Sequence, residues 1–182
     1  MKDKRGLVIA VAGPHGSGRS TQALRLADSF GLRYVSTGTL FRERATQLGV
    51  SLEEMTRIAS EDDAFDRILD ERAKEETRKG GLVLDATLSG WVAVDPDLRI
   101  YLTAPLDVRV RRIADREGRA VGAVERETHL REAVELNRFR RDYSYDLADL
   151  TIYDLVLNTA PFDADAVAHI LKNVVEEYMV ER

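Results

Sequence analysis

The run Gly13-Pro14-His15-Gly16-Ser17-Gly18-Arg19-Ser20-Thr21 has the residue types of an anion cradle. Its glycines let the backbone curl until successive N–H groups converge on one point. A helix starting behind them adds its positive N-terminal end. The spacing from Gly13 to Gly18 to Ser20 is that of the phosphate-binding pattern G-x-x-x-x-G-K-[ST], with Arg19 in the lysine position. Arginine keeps the positive charge there, on a longer, planar side chain. Ser20 offers the hydroxyl that such a loop presents to Mg²⁺. His15 reads as a loop residue, because phosphoryl transfer leaves little for a base to do.

Moving a phosphoryl group between two anions needs a second anion site, a bridging cation and dispersed positive charge. Arg42, four residues after Gly38, is a fork donor suited to a second phosphate. The competing reading is a solvated arginine that merely covers surface. Arg44 reads as solvated. Asp85 ends the buried run Leu82-Val83-Leu84 and is a candidate ligand for Mg²⁺ or its water. A turn residue capping the next segment is the plainer alternative. Residues 99–141 contain eleven arginines and no lysine. Guanidinium is the better bidentate phosphate clamp, but Glu125, Glu127, Glu132 and Glu135 interleave as helix ion pairs, so most of the eleven are expected at the surface. The candidates are Arg112 and Arg116, before the glycine-bearing break at 118–122, and Arg131 and Arg138 after it. Arg131 and Arg138 are seven apart and share a helix face. Asp66 and Asp70 are expected on a solvated charged face, with acceptance from a base amine as the alternative. Trp91 and Tyr101 read as packing residues.

Elements that would hold these residues follow from the apolar pattern. Strands are predicted over about 7–12, 32–36, 82–86, 98–102 and 154–158. Helices are predicted over about 19–30, 40–48, 63–79, 106–115, 123–143 and 164–178, with Gly31 and Gly49 closing the first two and Asp163 capping the last. Ser51 and Glu54 have the spacing of a capping box. Strands alternating with helices predict an α/β fold, a doubly wound parallel sheet of five strands. Ligands of such a sheet lie beyond the carboxyl ends of its strands. There the loop at 13–20, Ser36-Thr37, Asp85 and Thr103 would meet. The stretch 38–79 reads as an inserted helical unit that holds substrate, and about 116–142 as a lid region, all within a single domain of 182 residues.

Composition sets the outer limits. An apolar fraction of 44% with 32% charged residues is that of a globular protein. The net charge of −5 argues against broad nucleic-acid binding. There is no cysteine, so no disulfide, thiol nucleophile or Cys-ligated zinc. The basic start, Met1 to Arg5, is followed by only six apolar residues, which read as a strand. No stretch has the length of a membrane span. A cytoplasmic location is expected.

Taken together, these segments resemble the nucleoside monophosphate kinases, and most closely the archaeal-type cytidylate kinases. The resemblance runs through the 13–21 loop, Tyr34-Val35-Ser36-Thr37-Gly38-Thr39-Leu40-Phe41-Arg42, Asp66 to Arg72, Leu84 to Trp91, Leu102 to Leu106, and Asp149 to Thr159. It implies a P-loop NTPase fold of the adenylate-kinase type with a mobile lid. It implies ATP and Mg²⁺ as cofactors, CMP or dCMP as acceptor, CDP or dCDP as product, and Arg42 on the acceptor phosphate. The reading adds no nucleic-acid or membrane partner, and a monomer or weak dimer. Two positions depart from the family pattern: its loop lysine is Arg19 here, and its Gly-Arg after the strand acid is Ala86-Thr87. Two alternatives stay open on that account, an ATP-binding module with weak or no transfer, and a related small-molecule kinase with another acceptor.

Overall fold

Val8–Ala12 (β1) is buried at all five positions, and its place in the sheet explains why the run is continuously apolar rather than alternating. The computed structural model describes residues 6–51, 54–55, 64–143, 146 and 149–180; the side chains of 41, 64–66, 131, 134–135 and 137–143 lie outside the described set. After β1 come α1 (Arg19–Phe30), β2 (Arg33–Ser36), α2 (Thr37–Leu48), α3 (Ala64–Lys79), β3 (Leu82–Asp85), α4 (Ser89–Val92) and β4 (Leu98–Thr103). Then follow α5 (Leu106–Glu117), α6 (Val121–Tyr143), β5 (Leu155–Asn158) and α7 (Ala164–Val180). The strands form one parallel sheet in the order β2-β3-β1-β4-β5.

Each face of that sheet has its own core. Ile9, Val11, Ile100 and Leu102 pack against Ala23, Leu26 and Ala27 of α1 and Val167, Leu171 and Val175 of α7. Val8, Ala10, Leu82 and Leu84 pack against Leu40, Ala73, Leu88 and Val92. Helix ends follow the sequence cues. Gly31 and Gly49 close α1 and α2 in the left-handed conformation, at φ 61° and 67°. Asp163 caps α7 by accepting from the Ala166 N–H at 2.8 Å. Ser51 accepts from the Glu54 N–H at 3.1 Å, while residues 52 and 53 of that capping box lie outside the described residues.

Two expectations need correction. Asp70 is buried, 9% exposed, not on a solvated face. Positions 70, 73 and 77 fall on one side of α3, and Ala73 and Thr77 are buried there too. The Asp66 side chain lies outside the described set. The second correction is α4, a single turn absent from the sequence reading. Its Gly90 carries the ring of Tyr153, and a Cβ there would come within 2.5 Å of the ring's Cε1. Helix propensity alone would favour alanine by about 1 kcal/mol, whereas overpacking costs about 1–3 kcal/mol. Gly90→Ala is therefore expected to lower stability, measured by denaturant unfolding. A more stable variant would show that Tyr153 moves aside without cost. No helix among the described residues is long and apolar enough to cross a membrane.

Candidate functional site

The loop between β1 and α1 is shaped by close backbone approaches. Gly13, Gly16 and Gly18 have φ of 143°, 80° and 90°. A Cβ on Gly13 would lie 2.1 Å from the Leu102 carbonyl oxygen, and one on Gly16 would lie 2.7 Å from that of Arg109. No other residue type fits either position without moving the wall behind it. Gly18 is the N-cap of α1 and supplies no side-chain acceptor, and the first turn holds no acid. The amides that open α1 thus lack the side-chain anion a helix start usually recruits. The buried Ser17 hydroxyl has no hydrogen-bond partner among the described residues.

Arg19 does not stand free above this loop. Its Nε donates to Asp85 Oδ1 at 2.5 Å, and its Nη1 donates to the Gly13 carbonyl at 2.6 Å and to Thr87 Oγ1 at 3.1 Å. Asp85 is only 2% exposed, and its Oδ2 accepts from the Tyr34 hydroxyl at 2.7 Å. Burial first, then the neighbouring Asp85 carboxylate, pushes the Tyr34 phenol up from its ordinary pKa, while the Ser36 and Ser20 hydroxyls oppose the shift. The phenol therefore stays a donor at neutral pH. Tyr34 was missed in the sequence, where it read only as a strand residue.

The register explains this meeting. Asp85 pairs with Val11 on one side and with Ser36 on the other. The loop, the carboxylate and the β2–α2 turn thus sit at the ends of three adjacent strands. The Ser20 hydroxyl, and the lone pairs Asp85 keeps beyond its bonds to Arg19 and Tyr34, are oxygen donors of the kind Mg²⁺ takes, one or two from protein with water and phosphate completing the set.

The β2–α2 turn makes a second helix start. Ser36 Oγ accepts from the Thr39 N–H at 3.1 Å, and Thr39 Oγ1 accepts from the Ser36 N–H at 2.8 Å. This reciprocal cap fixes the entry into α2. Arg42 lies one turn in. Its Nη1 is 3.6 Å from where a Cβ on Gly38 would be, so the guanidinium folds back over the start of the helix. Arg42 is exposed and has no side-chain partner among the described residues. Arg44 bonds Gln47 at 3.4 Å on the surface.

On the other side of the loop, Arg112 donates to Thr159 Oγ1 at 2.8 Å and to its carbonyl at 2.9 Å. The Thr159 hydroxyl in turn donates to the Ser17 carbonyl at 2.9 Å. Arg112 lines a cleft of about 450 Å³ with Thr21, Gln22, Phe162 and Val167. Arg116 is exposed, is bonded to Glu117 at 2.7 Å, and borders both that cleft and a smaller one over the loop. The side chains of Arg131 and Arg138 lie outside the described set.

Arg109, passed over in the sequence, is buried at 7% exposure. It donates to the His15 carbonyl at 2.9 Å and the Ala104 carbonyl at 3.0 Å, and it ion-pairs with Glu132 of α6. Nothing in the arginine-rich pattern distinguished it from its exposed neighbour Arg111. The Tyr101 and Tyr153 rings meet in a tilted contact, 5.0 Å between centroids at 52°, and Trp91 packs against the core.

A family model described as an AAA domain matches residues 12–131, more than half of the chain. A cytidylate kinase of Staphylothermus marinus is 42% identical over 176 residues, covering 96% of this chain and 99% of the relative. One of Ignicoccus hospitalis is 44% identical over 168 residues, covering 92% and 98%. Among solved structures, TT1252 from Thermus thermophilus superposes with a TM-score of 0.60 at 20% identity, covering 96% of this chain and 98% of the other. Shikimate kinase from Acinetobacter baumannii gives 0.59 at 14% identity, covering 97% and 94%. Those two likenesses speak to the fold alone, a five-stranded parallel sheet flanked by helices. At 42–44% identity over nearly the full length of both partners, the chain belongs to the cytidylate kinase family.

Proposed function

We propose that the chain transfers the γ-phosphoryl group of ATP to CMP or dCMP, giving ADP and CDP or dCDP. The observation that carries this reading is the order of the strand ends. The loop follows β1, Asp85 ends β3, and the Arg42-bearing turn follows β2, in three consecutive positions of the sheet. Strands lie about 4.8 Å apart. Two anion sites therefore face each other across roughly 10 Å, with a carboxylate between them.

In this reading the backbone of Gly13, Pro14, His15, Gly16, Ser17 and Gly18, with Arg19, Ser20 and Thr21, receives the ATP phosphates. Ser20 and Asp85 would hold Mg²⁺, which would supply positive charge to offset that of the phosphates. Arg42 grips the acceptor phosphate, and Arg112 and Arg116 border the nucleoside side of the ATP site. Arg131 and Arg138 neutralise charge on the group in transfer. The whole chain acts as one kinase domain, with 38–79 holding the acceptor and about 116–142 as lid. It works as a cytoplasmic monomer or weak dimer, without a nucleic-acid or membrane partner.

The two departures from the family pattern touch each other, since Arg19 donates to Thr87. That contact supports a compensation. A guanidinium that residue 87 does not provide reaches the end of β3 from position 19 instead. Similarity to cytidylate kinases over nearly the full chain favours transfer to CMP over the two alternatives. The test is ADP release from Mg-ATP against CMP, dCMP, UMP, AMP, GMP and dTMP, with a control lacking acceptor. Turnover is expected with CMP or dCMP. ATP binding with silence across the panel would replace this reading with a non-catalytic module or another acceptor.

A further inference from the structure

Phosphate affinity in such a loop depends on how firmly its amides are aimed before the anion arrives. Behind the 13–18 loop stands α5, pressed so close at residue 109 that Gly16 has no room for a side chain. The Arg109 side chain then reaches round to the loop's crest. Its Nη1 donates to the His15 carbonyl at 2.9 Å while its Nε is held on the Ala104 carbonyl at 3.0 Å. In a planar trans peptide the carbonyl and the following N–H point opposite ways. Holding the His15 carbonyl therefore fixes the direction of the Gly16 N–H, one of the amides the loop offers.

The guanidinium is itself held from outside the loop. Both of its terminal nitrogens engage the Glu132 carboxylate, Nη2 to Oε2 at 3.3 Å. Glu132 belongs to α6, whose near end packs on α5 through a small core of Val124 with Val110, Ile113 and Ala114. Farther along α6, Glu132 reaches the loop only by way of Arg109 among the described residues. A guanidinium at 7% exposure is costly to leave without its counter-charge, so Arg109 keeps its aim only while α6 is docked.

We infer that Arg109 is a positioning residue that couples the docking of α6 to the loop's affinity for polyphosphate, through the chain Glu132–Arg109–His15 carbonyl. The inference rests on the loop being the ATP-phosphate site. Coupling of this kind is reciprocal, so bound polyphosphate also holds α6 down.

Glu132→Gln keeps the shape and removes the charge. Mg-ADP binding by calorimetry is expected to weaken by about tenfold, the scale of one charge-assisted hydrogen bond. The KM for ATP should rise in step, with kcat and the KM for the acceptor little changed. In the wild type, Mg-ADP should slow hydrogen exchange of the amides around residue 132, and in the variant that protection should disappear. A merely structural pair would lower the thermal midpoint yet leave the Mg-ADP affinity and the linked exchange intact, and that result overturns the inference. Should Glu132→Gln fail to fold, Glu132→Asp, with the charge on a shorter arm, is measured the same way. A several-fold loss then supports the coupling, and no loss overturns it. A wild-type protein that does not bind Mg-ADP would bring down the phosphate-site reading itself, and this inference with it. Binding in the wild type with equal binding in the variant would remove this inference alone.

Discussion

Arg42→Ala is expected to lower kcat/KM for CMP by about a hundredfold or more while leaving the fold intact. Arg42 is exposed at the start of α2 and has no side-chain partner among the described residues, so its removal breaks no contact of the unliganded protein. Exposed changes of this kind usually stay within about 0.5 kcal/mol in stability. The loss on the acceptor side is of another order. A guanidinium forked onto a phosphate makes two charge-assisted hydrogen bonds of about 1.5–3 kcal/mol each. Losing both amounts to about two powers of ten, or more, in transition-state stabilisation. Steady-state kinetics with CMP varied at saturating Mg-ATP would show it, with thermal melting as the control. The KM for ATP should be nearly unchanged, because the loop lies two strands away from β2. Wild-type turnover in this variant would remove Arg42 from the scheme and leave the acceptor to a clamp not yet identified.

Asp85→Ala is expected to be the most damaging single change at the site, in stability as well as activity. Asp85 is 2% exposed and Arg19 12% exposed, so neither can turn to water without moving its surroundings. Removing one partner of such a pair costs about 3–5 kcal/mol. The lower part of that range is expected, since Arg19 keeps the Gly13 carbonyl and Thr87 as acceptors. The Tyr34 hydroxyl would also lose its acceptor. Asp85→Asn is the more telling variant for chemistry. Its amide must turn NH₂ toward either Arg19 or Tyr34, so one donor faces another. It also lacks the charge that attracts Mg²⁺. Turnover in Asp85→Asn should fall by about two orders of magnitude or more and should need a higher Mg²⁺ concentration to reach its maximum. Denaturant unfolding and a Mg²⁺ titration of activity separate the two effects. An Asp85→Ala protein as stable as the wild type would mean that the Arg19 pair contributes nothing net to folding.

Most of the elements that place these residues were legible in the chain. The glycine spacing, the continuous apolar runs of β1 and β3 and the capping residues around α2 and α7 are local signals. They located the loop, Asp85 and Arg42 to within a residue or two. The departures at Arg19 and Thr87 were visible as departures. Their contact was not, because it joins positions 68 residues apart through the pairing of β1 with β3. Asp70 was misplaced for a related reason. Its charge argued for solvent, but the face of α3 it occupies is set by what packs on Ala73.

The residue types and spacings by themselves pointed to the chemistry proposed, an anion cradle, a fork donor and a strand-ending carboxylate, and determined the α/β scaffold. Those signals are short-range, and backbone sterics and hydrophobic periodicity settle them locally. Only the tertiary structure decided which long side chains meet. It put Tyr34 and Arg19 on the same carboxylate, and it picked Arg109 from among eleven arginines between residues 99 and 141 to brace the loop. A guanidinium can reach in many directions at similar intrinsic cost. Which one it takes is settled by the burial and hydrogen-bond partners that distant strands and helices bring to it.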